Sequence, residues 1–125
     1  MTHTLDQLIE RGWQIAVSEV DALCAEFGWS QQEFCNAFSQ RVAHQYNDNV
    51  LHFQTADTAM NWLYEFAIHH MGAPIPEYFL DVFLAFDRGE FAGPEDAPGT
   101  DPELAHTRPL IREIVAKDRA AAARA

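Results

Sequence analysis

The segment from residue 76 to residue 88 constrains the fold more than any other part of the chain. Only a thin polar stripe of Glu77, Asp81 and Arg88 interrupts it. The remaining side chains are nearly all apolar: Tyr78, Phe79, Leu80, Val82, Phe83, Leu84, Ala85 and Phe86. A helix that is apolar on nearly every side must be covered on nearly every side. This segment is therefore predicted to be the central helix of a bundle, unless its outer face forms an oligomer interface.

Two helices are predicted before it from apolar residues spaced three and four apart. The first covers residues 4–27 and ends at Gly28, because glycine readily adopts the left-handed conformation that follows a helix. The second covers residues 31–46. Ser30 and Glu33 form a capping box at its start, in which each side chain accepts a hydrogen bond from the other residue's backbone.

Two more helices complete the predicted fold. The third is capped by Thr55 or Asp57 and runs to about Met71. The last runs from about residue 107 to about residue 120 and follows a long acidic loop at residues 89–101. The prediction is an all-α fold, with residues 1–125 forming a single-domain bundle of about five helices around a highly apolar fourth helix.

The C-terminal end of the bundle is expected to fray at about residues 120–125. The alanines there favour a helix but have little surface to bury.

The balance of charge restricts the partners that the chain can bind. Among 125 residues, 19 are acidic and 8 are basic, so the formal net charge is −11. Nucleic acids and anionic membranes both require a basic surface, and neither is expected as a partner. The acidity is uneven, since residues 1–105 hold three arginines against 17 acids, whereas residues 106–125 carry a net +3. We expect the arginines of the last helix to neutralise part of this acidic body.

The compartment is predicted from the cysteines and from missing targeting signals. No stretch of about 18 apolar residues is present, so no membrane-spanning helix is predicted. The start of the chain has neither the basic region nor the apolar stretch of a secretory signal. Cys24 and Cys35 are expected to be reduced core residues in a cytoplasmic protein, because disulfides are rare in a reducing compartment.

A cluster of Glu65, His69 and His70 raises the alternative of a metal or catalytic site. Imidazole and carboxylate ligands at helical spacing can share one metal ion. On an α-helical wheel, however, Glu65 and His69 point outward and His70 points inward, which favours a surface pair beside a buried histidine. Neither cysteine has the electropositive surroundings that a thiolate nucleophile requires. No dinucleotide, phosphate or serine-hydrolase motif is present, so we expect no enzyme activity, catalytic residue, metal or cofactor.

Acidic residues accumulate where the fourth helix ends and the loop begins: Asp87, Glu90, Glu95 and Asp96. A carboxylate near a helix C-terminus meets the negative end of the helix dipole, so a compensating cation is expected. Arg88, or the row of Arg108 and Arg112, would supply it as an ion-paired seam between the fourth and last helices. The alternative is that these four acids face a cationic partner.

Trp62 is placed on the outer flank of the third helix together with Glu65 and His69. An exposed aromatic side chain beside acidic residues is typical of an interface anchor with a polar rim. We therefore predict that these three residues and the four acids above bind a partner.

The leading hypothesis is a small acidic protein-binding module that docks on a basic protein. Bacterial immunity proteins, which inhibit nuclease toxins, are one class of such modules. An acidic face would steer the module onto the toxin's basic cleft. The first alternative is a homo-oligomer, such as a homodimer, with a structural or regulatory role. The second is a metal-binding or enzymatic protein that uses Glu65, His69 and His70.

Overall fold

The computed structural model describes residues 4–124, which form six α-helices and no strand. The helices are α1 (Leu5–Arg11), α2 (Val17–Phe27), α3 (Gln31–Asn47), α4 (Phe53–Phe66), α5 (Glu77–Asp87) and α6 (Arg108–Arg124). Their apolar faces enclose one continuous core. The predicted all-α bundle is confirmed, with one helix more than expected because the first predicted helix is divided.

The prediction of one helix over residues 4–27 is wrong because the chain turns at Gly12. This residue has a φ of +55°, which side chains other than glycine rarely adopt. A Cβ atom there would also lie 3.0 Å from Thr58 Cγ2 of α4. A 3-10 turn, Gly12–Gln14, follows and leads into α2. The turn allows α1 to pack against α3 and α4 while Trp13 stays 58% exposed.

The helix at the middle of the bundle is α3, which contacts all five other helices. It begins with the predicted capping box: Glu33 N–H donates to Ser30 Oγ at 3.0 Å, and Ser30 N–H donates to Glu33 Oε1 at 2.9 Å. Its inner face is fully buried through Phe34, Phe38, Val42 and Tyr46. α5 lies beside it, between α3, α4 and α6. The central position is therefore shared by α3 and α5.

α5 is covered on its inner face but not all round. Phe79, Val82, Ala85 and Phe86 are buried. Phe83 is only half-buried, with its ring stacked on Tyr64 at 4.3 Å between centroids, and Leu84 is 55% exposed. The most apolar helix of the chain thus leaves an apolar strip on the surface.

The predicted caps of the third helix are wrong. α4 begins at Phe53, and His52 precedes it without a side-chain capping bond. Thr55 and Asp57 consequently lie inside the first turns of the helix, where Asp57 is half-buried. This places a carboxylate on the side of α4 rather than at its end.

The end of α4 departs from regular α-helical winding. A π-helical turn, Ala67–Met71, continues from Phe66, and the N–H of Gly72 donates to the carbonyl of Ala67 at 3.0 Å. This bond spans five residues instead of four, so the following side chains rotate relative to an α-helical wheel. His70 is therefore exposed, and the prediction that it is buried is wrong.

The segment after α5 matches the predicted loop at residues 89–101, which contains turns and no regular helix. A second π-helical turn, Glu103–Thr107, then leads into α6. Thr107 Oγ1 donates to the carbonyl of Ala85 at 2.7 Å and thereby fixes the start of α6 against α5. α6 continues to Arg124, and the fraying expected at residues 120–125 stays a prediction.

No helix within residues 4–124 is long and apolar enough to cross a membrane. α3 and α6 are the longest, at 17 residues each, and both carry polar side chains along their length. The cytoplasmic location stays a prediction. Met1, Thr2 and His3, on which the absence of a secretory signal depends, lie outside the described residues together with Ala125.

Candidate functional site

The seven residues predicted to bind a partner fall into two groups. Trp62, Glu65 and His69 belong to α4 and the turn after it, whereas Asp87, Glu90, Glu95 and Asp96 lie at the end of α5 and in the following loop. The first group belongs to what we call the tryptophan pocket, which is lined by Trp13, Ile15, Val17, Trp62, Glu65, Phe66, His69 and His70. Two of the second group belong to the carboxylate cluster, which consists of Asp57, Asn61, Asp87 and Glu90.

The tryptophan pocket is an opening of about 300 Å³ between α4 and the turn that follows α1. The turn at Gly12 brings Trp13 to the rim of the pocket. The π-helical turn brings His69 and His70 to another part of the rim, where both are exposed. Two departures from regular helix, neither of which was predicted, therefore shape this pocket.

Trp62 forms part of the pocket wall but is only 6% exposed. Its ring stacks on Phe66 at 5.6 Å and meets the ring of Phe34 edge-on at 6.5 Å. The prediction that Trp62 lies on the outer flank of its helix is wrong, because its ring packs against Phe34 and Phe38 of α3. The exposed tryptophan of the pocket is Trp13.

Glu65 and His69 form the predicted surface pair, with His69 Nε2 at 2.9 Å from Glu65 Oε2. Both side chains are about half exposed or more. The ring of His70 stacks on Phe66 at 6.1 Å. Within residues 4–124, no three side chains of His, Cys, Asp or Glu converge in a way that would hold a metal ion.

The chemistry of the pocket is that of an aromatic surface beside a carboxylate. The face of a tryptophan ring attracts cations, and the attraction increases where water is excluded. The carboxylate of Glu65, which also contacts His69, lies at the same opening. An arginine or lysine side chain is therefore the kind of group that this pocket fits.

The carboxylate cluster joins the middle of α4 to the end of α5. Asn61 Nδ2 donates to Glu90 Oε2 at 3.0 Å and lies 3.4 Å from Asp57 Oδ2. Asp57 Oδ1 is buried without a hydrogen-bond partner among the described residues. No basic side chain of residues 4–124 lies within ion-pair distance of Asp57, Asp87 or Glu90.

The missing counter-charge has a consequence for Asp57. Burial raises the pKa of this carboxyl to about 8, assisted by a hydrogen bond with Glu90 and by the charges of Glu90 and Asp87. Asp57 was not predicted as a site residue. Its spacing from Asn61 shows that both lie on one face of α4, but only the packing of α5 shows what that face meets.

The two loop acids have different surroundings. Asp96 Oδ2 accepts a hydrogen bond from the N–H of Gly93 at 2.7 Å, and His106 Nε2 lies 2.9 Å from Asp96 Oδ1. These contacts hold the pKa of Asp96 below its usual value and tie the loop to the turn before α6. Glu95 lies 3.5 Å from Arg88, and both side chains are exposed. Glu95 thus stays accessible to a partner, whereas Asp96 is engaged in contacts with Gly93 and His106.

The ion-paired seam predicted between the fourth and last helices is not found among the described residues. Arg88 does pair with an acid, but that acid is Glu95 of the loop after α5. Arg108 instead lies over the ring of Tyr46 at 4.1 Å and donates to the carbonyl of Tyr46 at 3.2 Å. Arg119 pairs with Asp48 at 2.9 Å. The arginines of α6 therefore lie against the end of α3, and no basic side chain of the described residues pairs with Asp87 or Glu90 at the end of α5.

Two polar networks that hold α6 in place were not predicted. Tyr78 Oη donates to Asp118 at 2.5 Å, and His44 Nε2 lies 2.8 Å from the same oxygen. Tyr46 Oη donates to Glu103 at 2.6 Å. Burial raises the pKa of both tyrosines, so each hydroxyl stays protonated and available as a donor.

The cysteines are buried free thiols, as predicted. Burial raises the pKa of Cys35 to about 12 and raises that of Cys24 as well. Since the thiolate is the reactive form, both side chains serve as core residues.

No family model matches the chain, and neither the curated proteins nor the solved structures contain a significant match to it.

Proposed function

We propose that this domain is a protein-binding module that docks on a basic protein partner through the tryptophan pocket. The observation that carries the proposal is the exposed ring of Trp13 beside the carboxylate of Glu65, at the mouth of a pocket whose wall is aromatic. A cationic side chain of the partner would contact ring faces and a carboxylate together. Trp and Arg are the residues that most often dominate the energy of protein interfaces.

The distribution of charge supports the same kind of partner. Six of the eight basic side chains already form ion pairs within the domain: Arg11 with Glu19, Arg41 with Asp6, Arg88 with Glu95, Arg108 with Glu103, Lys117 with Glu113, and Arg119 with Asp48. The excess of acids is therefore not neutralised within the domain, and Asp87 and Glu90 at the end of α5 have no basic partner among the described residues. A negative surface accelerates association with a positive one and orients the encounter.

A nuclease toxin is the class of partner that fits best, and the domain would act as its immunity-type inhibitor. The cleft of a nuclease must be basic to hold the phosphates of its substrate. An acidic module with an aromatic anchor would occupy that cleft and exclude nucleic acid.

The first experiment is calorimetric titration of the domain with any basic protein that a neighbouring gene encodes. We expect tight binding that weakens steeply as salt is raised. Trp13→Ala and Glu65→Gln should each weaken binding by roughly tenfold. The matched controls are Phe27→Ala and Glu26→Gln, which remove an exposed aromatic ring and an exposed acid outside the pocket. Equal effects of the pocket variants and the controls would exclude the pocket as the docking site.

A kinetic experiment examines the predicted contribution of Asp87 and Glu90. Asp87→Lys should slow association several-fold and reduce its dependence on salt, with little change in the dissociation rate. Circular dichroism of the variant should show an unchanged fold, since the Asp87 side chain is exposed. Loss of cooperative unfolding would show that this acid instead stabilises the packing of α5. Absence of binding to any neighbouring basic protein would overturn the proposed function itself.

A further inference from the structure

A second apolar opening lies between α5 and α6, on the outer face that α5 leaves uncovered. This groove has a volume of about 370 Å³ and is lined by Asp81, Leu84, Ala85, Arg88, Leu110, Glu113, Ile114 and Lys117. Leu84 is 55% exposed and Leu110 is 41% exposed. The groove therefore presents large aliphatic side chains to solvent on two neighbouring helices.

The two helices that form the groove run in opposite directions. Near the start of α5, Tyr78 bonds to Asp118 near the end of α6. Near the end of α5, the carbonyl of Ala85 accepts from Thr107 just before α6. Hydrogen bonds at both ends hold the pair of helices together, so the groove is a stable part of the fold.

The charges on the rim distinguish this groove from the rest of the surface. Two acids, Asp81 and Glu113, and two basic residues, Arg88 and Lys117, line it. Lys117 pairs with Glu113 at 3.4 Å, and Arg88 lies 3.5 Å from Glu95 in an exposed pair. The rim is thus neutral in a protein whose net charge is −11. A basic partner has no electrostatic preference for a neutral rim. A second copy of the acidic chain, by contrast, is repelled by most of the surface and least by this groove.

The spacing of the rim charges also suits a second copy. Asp81 and Arg88 both line the groove and are seven residues apart, which is about 10 Å along a helix. Leu84 and Ala85 lie midway between them. A two-fold axis through this midpoint exchanges the two ends of α5, and it brings each acid opposite an arginine, with apolar side chains at the centre.

We infer that a second copy of this chain occupies the groove between α5 and α6, related by a two-fold axis that sets Asp81 of each copy against Arg88 of the other. The interface consists of two antiparallel α5 helices flanked by the two α6 helices. Leu84 and Leu110 leave water when it forms. Arg88 exchanges its exposed contact with Glu95 for Asp81 of the other copy, so two intermolecular ion pairs set the register. The tryptophan pocket lies on other elements and takes no part in this interface.

Sedimentation velocity over a range of concentrations, up to millimolar, measures the association. We expect a reversible dimer for the natural sequence. Asp81→Arg and Arg88→Asp each place like charges opposite one another twice in the dimer, and each should raise the dissociation constant roughly tenfold or more. An equimolar mixture of the two variants should associate again, because the introduced arginine of one chain then faces the introduced aspartate of the other.

The matched control is Glu77→Arg, which changes the charge of the same helix by the same amount as Asp81→Arg but lies outside the groove lining. It lowers the net negative charge, so it should leave the dimer intact or strengthen it. A chain that is monomeric at every concentration would overturn the inference. A dimer that survives both single substitutions, or variants that do not associate when mixed, would overturn it equally. None of these outcomes bears on whether the tryptophan pocket binds a basic protein.

Discussion

The tryptophan pocket and the α5–α6 groove are openings of similar size, about 300 Å³ and about 370 Å³, but they differ in what lies beneath and around them. The pocket wall includes Trp62 and Phe66, which belong to the hydrophobic core. The groove exposes Leu84 and Leu110, which extend outward from helices whose inner faces already pack in the core. A change at Trp62 or Phe66 therefore affects folding, whereas a change at Leu84 or Leu110 mainly affects what binds at the groove.

The charges around the two openings differ as well. Glu65 at the pocket and Asp57 of the carboxylate cluster both lie on α4, and no arginine or lysine of the described residues pairs with either. The groove instead alternates acidic and basic side chains. Apolar surface alone does not select a partner; the charge beside it does. The same small domain thus offers an opening suited to a cation and another suited to its own copy.

The largest difference in the free energy of unfolding is expected between substitutions of the two tryptophans of the pocket. Trp62→Ala should lower the free energy of unfolding by about 3–5 kcal/mol, because it leaves a cavity among the rings of Phe34 and Phe66. Trp13→Ala should change it by about 1 kcal/mol or less, since that ring is 58% exposed. Urea unfolding monitored by circular dichroism measures both. Similar losses for the two variants would mean that Trp13 is also part of the core.

The acidic side of α4 is tested by the substitution Asp57→Asn. The folded state raises the pKa of Asp57 from 3.8 to about 8, so the folded state binds the proton more tightly than the unfolded chain does. Stability should therefore fall as pH rises from about 4 to about 8. The substitution should remove this fall and raise stability at pH 8 by about 1–2 kcal/mol, allowing for the partial exposure of the group, with no gain at pH 4.

Unfolding of both proteins across this pH range measures the effect of Asp57→Asn. The matched control is Asp81→Asn, which removes one carboxylate from the charge-balanced groove, where no such repulsion is relieved. A stability gain of equal size at both sites would break the contrast between the two sides of the molecule.

A smaller change in stability is expected at the centre of the groove. Leu84→Ser should alter the free energy of unfolding of the monomer by no more than about 0.5 kcal/mol, because the side chain is 55% exposed. The same substitution should abolish the association measured by sedimentation and leave the tryptophan pocket unaffected. A large loss of monomer stability would show that Leu84 supports the core instead.

The smallest effect on stability and on dimer affinity is expected for Glu95→Gln. Glu95 lies 3.5 Å from Arg88 in an exposed pair, and such pairs contribute less than about 1 kcal/mol. Its removal should leave stability nearly unchanged. Because Arg88 is then free to face a second copy, the dimer should tighten by about twofold. A weaker dimer would show that Glu95 holds Arg88 in the orientation that the interface uses.

Local pattern was sufficient for most of the fold. Ser30 and Glu33 define the start of α3 through hydrogen bonds between residues three apart. The four-residue spacing of Phe34, Phe38 and Val42 defines its buried face. The apolar run of α5, the loop at residues 89–101 and the surface pair of Glu65 and His69 follow from the same short-range rules. Each depends on residues that are neighbours on one helix, so the sequence carries all the information.

The candidate sites depended on contacts between distant segments. The first helix is divided at Gly12, which has a φ of +55°, and a Cβ atom there would also lie 3.0 Å from Thr58 Cγ2, 46 positions along the chain. Asp57 became part of a cluster because the packing of α5 brings Glu90 against α4, although its spacing alone suggested a helix cap. Trp62 is buried because Phe34 and Phe38 of α3 pack against a flank that an isolated helix would expose.

The sequence by itself therefore determined an acidic, all-α chain and the buried face of most of its helices. These are properties of composition and of 3.6-residue periodicity, which act within a single helix. Only the tertiary structure decided where the Glu65 carboxylate and the exposed ring of Trp13 come together. The turn at Gly12 and the π-helical turn at Ala67–Met71 rotate Trp13, His69 and His70 to the rim of one pocket, and a helical wheel contains no information about either rotation.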